Sequence, residues 1–135
     1  MKAINLAIGL LATLPFSGLQ AQTMSLTAEV PFDFQVGDTV LPAGDYRIQH
    51  VDGILKLRSE SGNEAAVVLT IAAVAPRDAK EAVLLFHRYG ESYFLEKIWT
   101  PDSEIARQLP KSRTEHELAR NGPAKEVATL VLATK

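Results

Sequence analysis

The stretch YRIQHVDGILKLRS, residues 46–59, holds two apolar-alternating runs on either side of Asp52-Gly53. A type I′ turn needs positive φ at both central residues, and Asp-Gly is among the few dipeptides that supply it. A two-residue loop here pairs Val51 with Ile54, His50 with Leu55, Ile48 with Leu57 and Tyr46 with Ser59. Gln49 with Lys56 and Arg47 with Arg58 then fall on the opposite face. One face is mostly apolar and the other polar, so the register is self-consistent for a hairpin with one buried side.

Upstream, SLTAEVPFDFQV (residues 25–36) alternates strictly, with Leu26, Ala28, Val30, Phe32, Phe34 and Val36 on one side. That period of two is a strand signature. Pro31 has no N–H for a ladder, which predicts an edge position or a bulge there. Gly37-Asp38 and Pro42-Ala43-Gly44-Asp45 mark turns around a short Val40-Leu41 piece. Downstream, EAAVVLTIAAV (64–74) is almost free of polarity and rich in β-branched residues, which predicts a central strand. Residues 76–80 read as a charged loop. EAVLLFHRY, Gly90-Glu91 and SYFLEKIWT (81–100) form a second predicted hairpin, apolar on both faces and therefore central or covered by another element. Ser112-Arg113-Thr114-Glu115 is a capping-box pattern and Asn121-Gly122-Pro123 a stop, so a short helix is expected over 112–120. KEVATLVLAT (125–134) supplies a last strand.

The fold expected is mainly all-β: a small antiparallel β-sandwich or partly open barrel of about seven strands, with one short C-terminal helix before the last strand. It forms a single domain over residues 22–135. Residues 1–21 read as a secretory signal peptide: Lys2, then the apolar run AINLAIGLLATL, then Pro15, Gly18 and a small residue at Ala21. That run is too short to span a bilayer. The expected destination is the periplasm or the medium, with no stable membrane insertion after cleavage.

The composition is that of a globular chain, 47% hydrophobic and 22% charged. With 14 Lys+Arg against 16 Asp+Glu, the net charge of −2 argues against a nucleic-acid binder. The absence of cysteine removes disulfides, thiolate metal sites, cysteine nucleophiles and a lipid-anchored N-terminal Cys.

VPFDFQVGDTVLPAGDYRI (30–48), together with HRYGESYFLEKIWT and RQLPKSRTEHELAR (87–120), resembles a group of small exported bacterial proteins of unknown function. The resemblance implies export and offers no catalytic residues to carry over. Pro42-Ala43-Gly44-Asp45-Tyr46 looks like the entry to a strand in many sandwich modules, where a tyrosine hydroxyl returns to nearby backbone.

Candidate chemistry is sparse. His50 and His87 lie in predicted strands and are the weak candidates for a metal or acid–base site if they converge; the plainer alternative is two part-buried histidines bonded to backbone or hydroxyl groups. His116, beside Glu115 and Glu117, is expected in solvent. Asp33, Glu29 and Glu96 are read as carboxylates that keep exposed faces soluble. Gly-x-Ser-x-Gly and glycine-rich phosphate loops are missing, so no catalytic residue is assigned and no cofactor is expected. Arg107, Lys111 and Arg113 gather near a predicted helix N-terminus and would suit an anion; alternatively they pair with Asp102, Glu104, Glu115 and Glu117 in a solvated connector. Tyr89, Tyr93, Phe94 and Trp99 either fill the core or offer an aromatic platform.

The leading expectation is an exported non-catalytic β-domain that binds a protein or glycan partner through Tyr93, Trp99, Arg107, Lys111 and Arg113. A lipocalin-like carrier of an apolar ligand is the alternative and requires a closed barrel. A small hydrolase has no supporting motif. An outer-membrane barrel conflicts with the run at 65–74, which is apolar on both faces.

Overall fold

A computed structural model describes residues 23–75, 80–101 and 105–132. The export segment expected over 1–21, the loop at 76–79, and Asp102 and Glu104 lie outside the described residues. In chain order the elements are β1 (Thr23–Val30), β2 (Phe34–Val36), β3 (Thr39–Leu41), β4 (Gly44–Val51), β5 (Ile54–Ser59), β6 (Ala65–Leu69), β7 (Ile71–Val74), β8 (Ala82–Tyr89), β9 (Ser92–Trp99), β10 (Ile105–Gln108), α1 (Arg113–Asn121) and β11 (Lys125–Leu132).

The strands build two sheets. Sheet A runs β1-β4-β5-β6, and sheet B runs β11-β8-β9-β10-β7 with β2 and β3 attached through β2 to β9. The sheets do not close into a barrel, which leaves the carrier reading without the enclosure it needs. Their apolar faces meet in one core. Tyr46, Ile48, Leu55 and Leu57 of sheet A lie in one cluster with Phe34, Leu84, Phe86, Leu95 and Ile98 of sheet B. Edge-to-face rings knit it, Phe34 with Tyr46 at 5.2 Å and with Phe86 at 5.8 Å.

The first hairpin is as the Asp-Gly turn dictates. Asp52 and Gly53 both have positive φ, and the β4–β5 register pairs Val51 with Ile54 through Tyr46 with Ser59. The Tyr46 hydroxyl donates to the Pro42 carbonyl at 2.5 Å, the backbone return expected at this strand entry.

Three segments depart from the sequence reading, and together they raise the strand count from about seven to eleven short segments among the described residues. Residues 25–36 are not one strand. Sheet A's edge strand β1 ends before Pro31, and the chain crosses over to enter sheet B as β2. The inward alternation continues across the break, with Ala28, Val30, Phe34 and Val36 all buried. The run at 64–74 is not a central strand either. It breaks at Thr70 into β6, the far edge of sheet A, and β7, the far edge of sheet B. Val67 and Leu69 are therefore exposed on the outer face of β6, and Ile71 and Val74, on opposite faces of β7, are both exposed at that sheet's edge. The segment around Arg107, weighed as a solvated connector, contributes β10, which pairs with β9 and β7.

The second hairpin is central in sheet B and also covered. Strand β8 pairs β11 and β9, and α1 bonds to its outer face through Glu115. The helix starts at its expected cap, where the Ser112 hydroxyl accepts the Glu115 N–H at 3.1 Å, and it closes with the Gly122 N–H on the Leu118 carbonyl.

Candidate functional site

Three polar features stand outside the apolar core. The first lies between α1 and sheet B. The β8–β9 ladder pairs Leu85 with Lys97 but Phe86 with Leu95, so Glu96 is an extra residue in β9. A bulge of this kind re-aims a side chain. Here the Glu96 carboxylate comes within 3.4 Å of His87 Nδ1. Glu115 reaches the same nitrogen from the helix at 2.9 Å and accepts the Tyr89 hydroxyl at 3.0 Å. Gln108 donates to the other Glu96 oxygen at 3.4 Å.

Glu96 and Glu115 are 6% and 2% exposed, which corrects the expectation that both serve in solvent. Burial raises the Glu96 pKa; the neighbouring His87 opposes that rise, Glu115 adds to it, and Lys111 and Lys97 oppose it more weakly. Burial, with the hydrogen bond to Glu115, pushes the Tyr89 phenol up to about 12, so it remains a neutral donor at neutral pH. The helix signal at Ser112–Glu115 was legible. What it hid is that Glu115 turns its side chain down onto the sheet while its backbone N–H is capped.

The second feature is at the Thr70 crossover. Arg107 donates from Nε to the Thr70 hydroxyl and from Nη2 to the Thr70 carbonyl, both at 2.9 Å. The Thr70 N–H and hydroxyl both donate to the Gly53 carbonyl, at 2.7 and 2.9 Å. His50 Nε2 lies 3.4 Å from the Thr70 hydroxyl. Burial and the Arg107 charge lower the His50 pKa, against a smaller upward pull from Asp52. His50 and His87 thus belong to separate clusters and do not converge. Arg107 is committed to Thr70 rather than to an anion beside Lys111 and Arg113, which are exposed near the helix N-terminus. His116 is exposed, as expected.

The aromatic residues fill space. Trp99 is 7% exposed on β9. The Tyr93 ring stacks on Phe32 at 3.7 Å with the planes 11° apart, and Arg88 sits 5.4 Å from its centroid. Phe94 is buried against Tyr89 on the helix side of the sheet, with centroids 5.8 Å apart. These four do not present an open platform.

The third feature is the outer face of sheet A. Ladder register makes it a set of rows: Thr27, Arg47, Arg58 and Ala65, then Ser25, Gln49, Lys56 and Val67. All eight side chains are exposed. Arg47, Gln49, Lys56, Arg58, Ala65 and Val67 line a shallow depression of about 320 Å³. Among the described residues, Arg47, Lys56 and Arg58 have no ion-pair partner. The face thus carries three cations, and its next row holds the exposed carboxylates Glu29 and Asp45 opposite each other, in a chain whose net charge is −2. Sequence reasoning had paired Arg47 with Arg58 correctly and drew nothing from it.

No family model matches this chain, and no curated protein or solved structure is similar to it.

Proposed function

We propose that the chain is an exported, non-catalytic β-domain that binds an acidic polysaccharide on the outer face of sheet A. The observation that carries the reading is the direct opposition of Arg47 and Arg58 across the β4–β5 ladder, with Lys56 in the next row. Like charges directly opposite one another destabilise a ladder. A bound carboxylate or sulfate reverses that sign, because two guanidinium forks can share one anionic group.

The rest of the face fits a sugar polymer better than a folded protein. Its neutral groups are the hydroxyls of Ser25 and Thr27, the Gln49 amide and the small apolar side chains of Ala65 and Val67. It lacks the buried aromatic anchors that dominate protein–protein contacts. Export is read from residues 1–21 and from the resemblance described above. In this reading Tyr93, Trp99 and Arg107 serve the fold, and Arg47, Gln49, Lys56 and Arg58 form the binding face.

The test is retention of the purified protein on immobilised polygalacturonate and on heparin, with neutral dextran as control. Binding to one of the acidic polymers, weakened by salt and lost in the Arg47→Glu/Arg58→Glu double variant, is expected. Equal retention of the folded double variant, or no retention of the wild type on either acidic polymer, overturns the reading.

A further inference from the structure

The outer face of sheet A leaves the cluster beneath α1 unused. We propose that His87, Glu96 and Glu115 form a binding site for one divalent transition-metal cation of the zinc type. One imidazole nitrogen and two carboxylate oxygens, one from each residue, lie within 4.8 Å of one another. His87 Nδ1 is 2.9 Å from a Glu115 oxygen and 3.4 Å from a Glu96 oxygen. Ligand atoms about 2.0–2.2 Å from a shared zinc ion stand roughly 3–3.5 Å apart in a tetrahedral arrangement, so small side-chain movements suffice.

Charge gives the second reason. Two buried carboxylates face one imidazole; Lys111 and Lys97 act on Glu96 from a distance, but no Lys or Arg forms an ion pair with either carboxylate among the described residues. Buried carboxylates need a compensating charge. A divalent cation supplies it at the point where the oxygens converge. The donors also come from three separate elements, β8, β9 and α1, and Glu96 arrives there through the β9 bulge.

The donor set selects the ion class. Imidazole with carboxylate favours zinc and its first-row neighbours over calcium, which prefers six to eight oxygens. Three protein donors leave a fourth position for solvent. The Tyr89 hydroxyl, bonded to a Glu115 oxygen, orients that ligand from outside, the usual place of a supporting hydrogen bond at a metal centre. Occupation would tie the helix to the sheet, so the ion would act on the stability of α1 and not on the polysaccharide face.

The experiment uses tag-free protein stripped with EDTA and titrated with Zn²⁺ by calorimetry, with Co²⁺ absorption as a second readout. One equivalent bound, at micromolar Kd or tighter, is expected. So is a Tm that rises with Zn²⁺ concentration, as any ligand of the folded state requires. Glu96→Gln keeps the shape and the Gln108 contact region, and it should weaken binding at least tenfold while the circular dichroism spectrum stays unchanged. His87→Gln should do the same, whereas His50→Gln should leave Zn²⁺ affinity unaltered. Absence of stoichiometric binding by the folded wild type overturns the proposal. So does an affinity that survives in both Glu96→Gln and His87→Gln, since the ion would then be held elsewhere.

Discussion

Arg47 and Arg58 stand directly opposite each other on the outer face of the β4–β5 hairpin, both exposed and, among the described residues, neither in an ion pair with a carboxylate. Placing like charges at a directly opposed pair costs roughly 0.2–1 kcal/mol relative to a neutral one. Arg58→Thr should therefore raise the urea midpoint by a few tenths of a kcal/mol in stability while abolishing retention on an acidic polymer. A variant that loses both stability and binding would mean that Arg58 supports the hairpin.

Glu115 accepts from Tyr89 and contacts His87 while 2% exposed, so α1 is held to sheet B by one buried carboxylate. Glu115→Ala leaves the Tyr89 phenol without its acceptor in a confined place and His87 with only its 3.4 Å contact to Glu96. The expected loss is about 1–3 kcal/mol for each group left unpaired. Amide hydrogen exchange should locate it, with protection falling first in residues 113–121 and the hairpin at 46–59 keeping its protection. Uniform loss over the whole chain would show that the helix is not an independent unit.

Stability should fall on mild acidification through His50. Its unfolded pKa is near the ordinary 6.5, and burial plus the Arg107 charge hold the folded value lower. Between those two values the unfolded chain carries more protons than the folded one. Stability is thus complete above about 6.5 and declines as the pH falls, until the folded-state pKa is passed. Asp52 works against the effect and keeps it modest. Urea midpoints measured from pH 8 to pH 5 should decline less in His50→Gln than in the wild type; parallel curves would remove His50 from the account.

Where local chemistry dictates geometry, the chain could be read directly. Asp52-Gly53 fixed the register of β4 and β5 to the residue, and Ser112 with Gly122 bounded α1 to within one residue. The failures are at crossovers. Pro31 and Thr70 are where strands leave one sheet for the other; at Pro31 the period-2 pattern carries straight through because the side chains keep pointing at the same core, and at Thr70 an almost wholly apolar run gives no local sign of the step. The cluster beneath α1 was hidden for a related reason. Glu96 becomes buried only because of a bulge set by the pairing of β8 with β9, and Glu115 only because α1 lands on that spot. Neither contact is local in sequence. The Arg47–Arg58 opposition was visible, since it follows from the hairpin register alone.

Arg107 offers a direct contrast between a fold-holding and a ligand-holding cation. Its two donors, Nε and Nη2, grip the hydroxyl and carbonyl of Thr70 at the point where the chain passes from β6 to β7. A lysine keeps the charge but lacks a planar fork, so it cannot reproduce both bonds in this geometry. Arg107→Lys should lower stability by about 1–3 kcal/mol, the range for losing a charged hydrogen-bond partner. It should also relieve the guanidinium's pressure on His50 less than Arg107→Met does, because the lysine retains a positive charge nearby. Polymer retention should be unaffected in both variants once the protein is folded. If Arg107→Lys instead kept full stability and lost retention on polygalacturonate or heparin, the binding face would include the β10 edge, and the assignment of sheet A as the sole docking surface would fail.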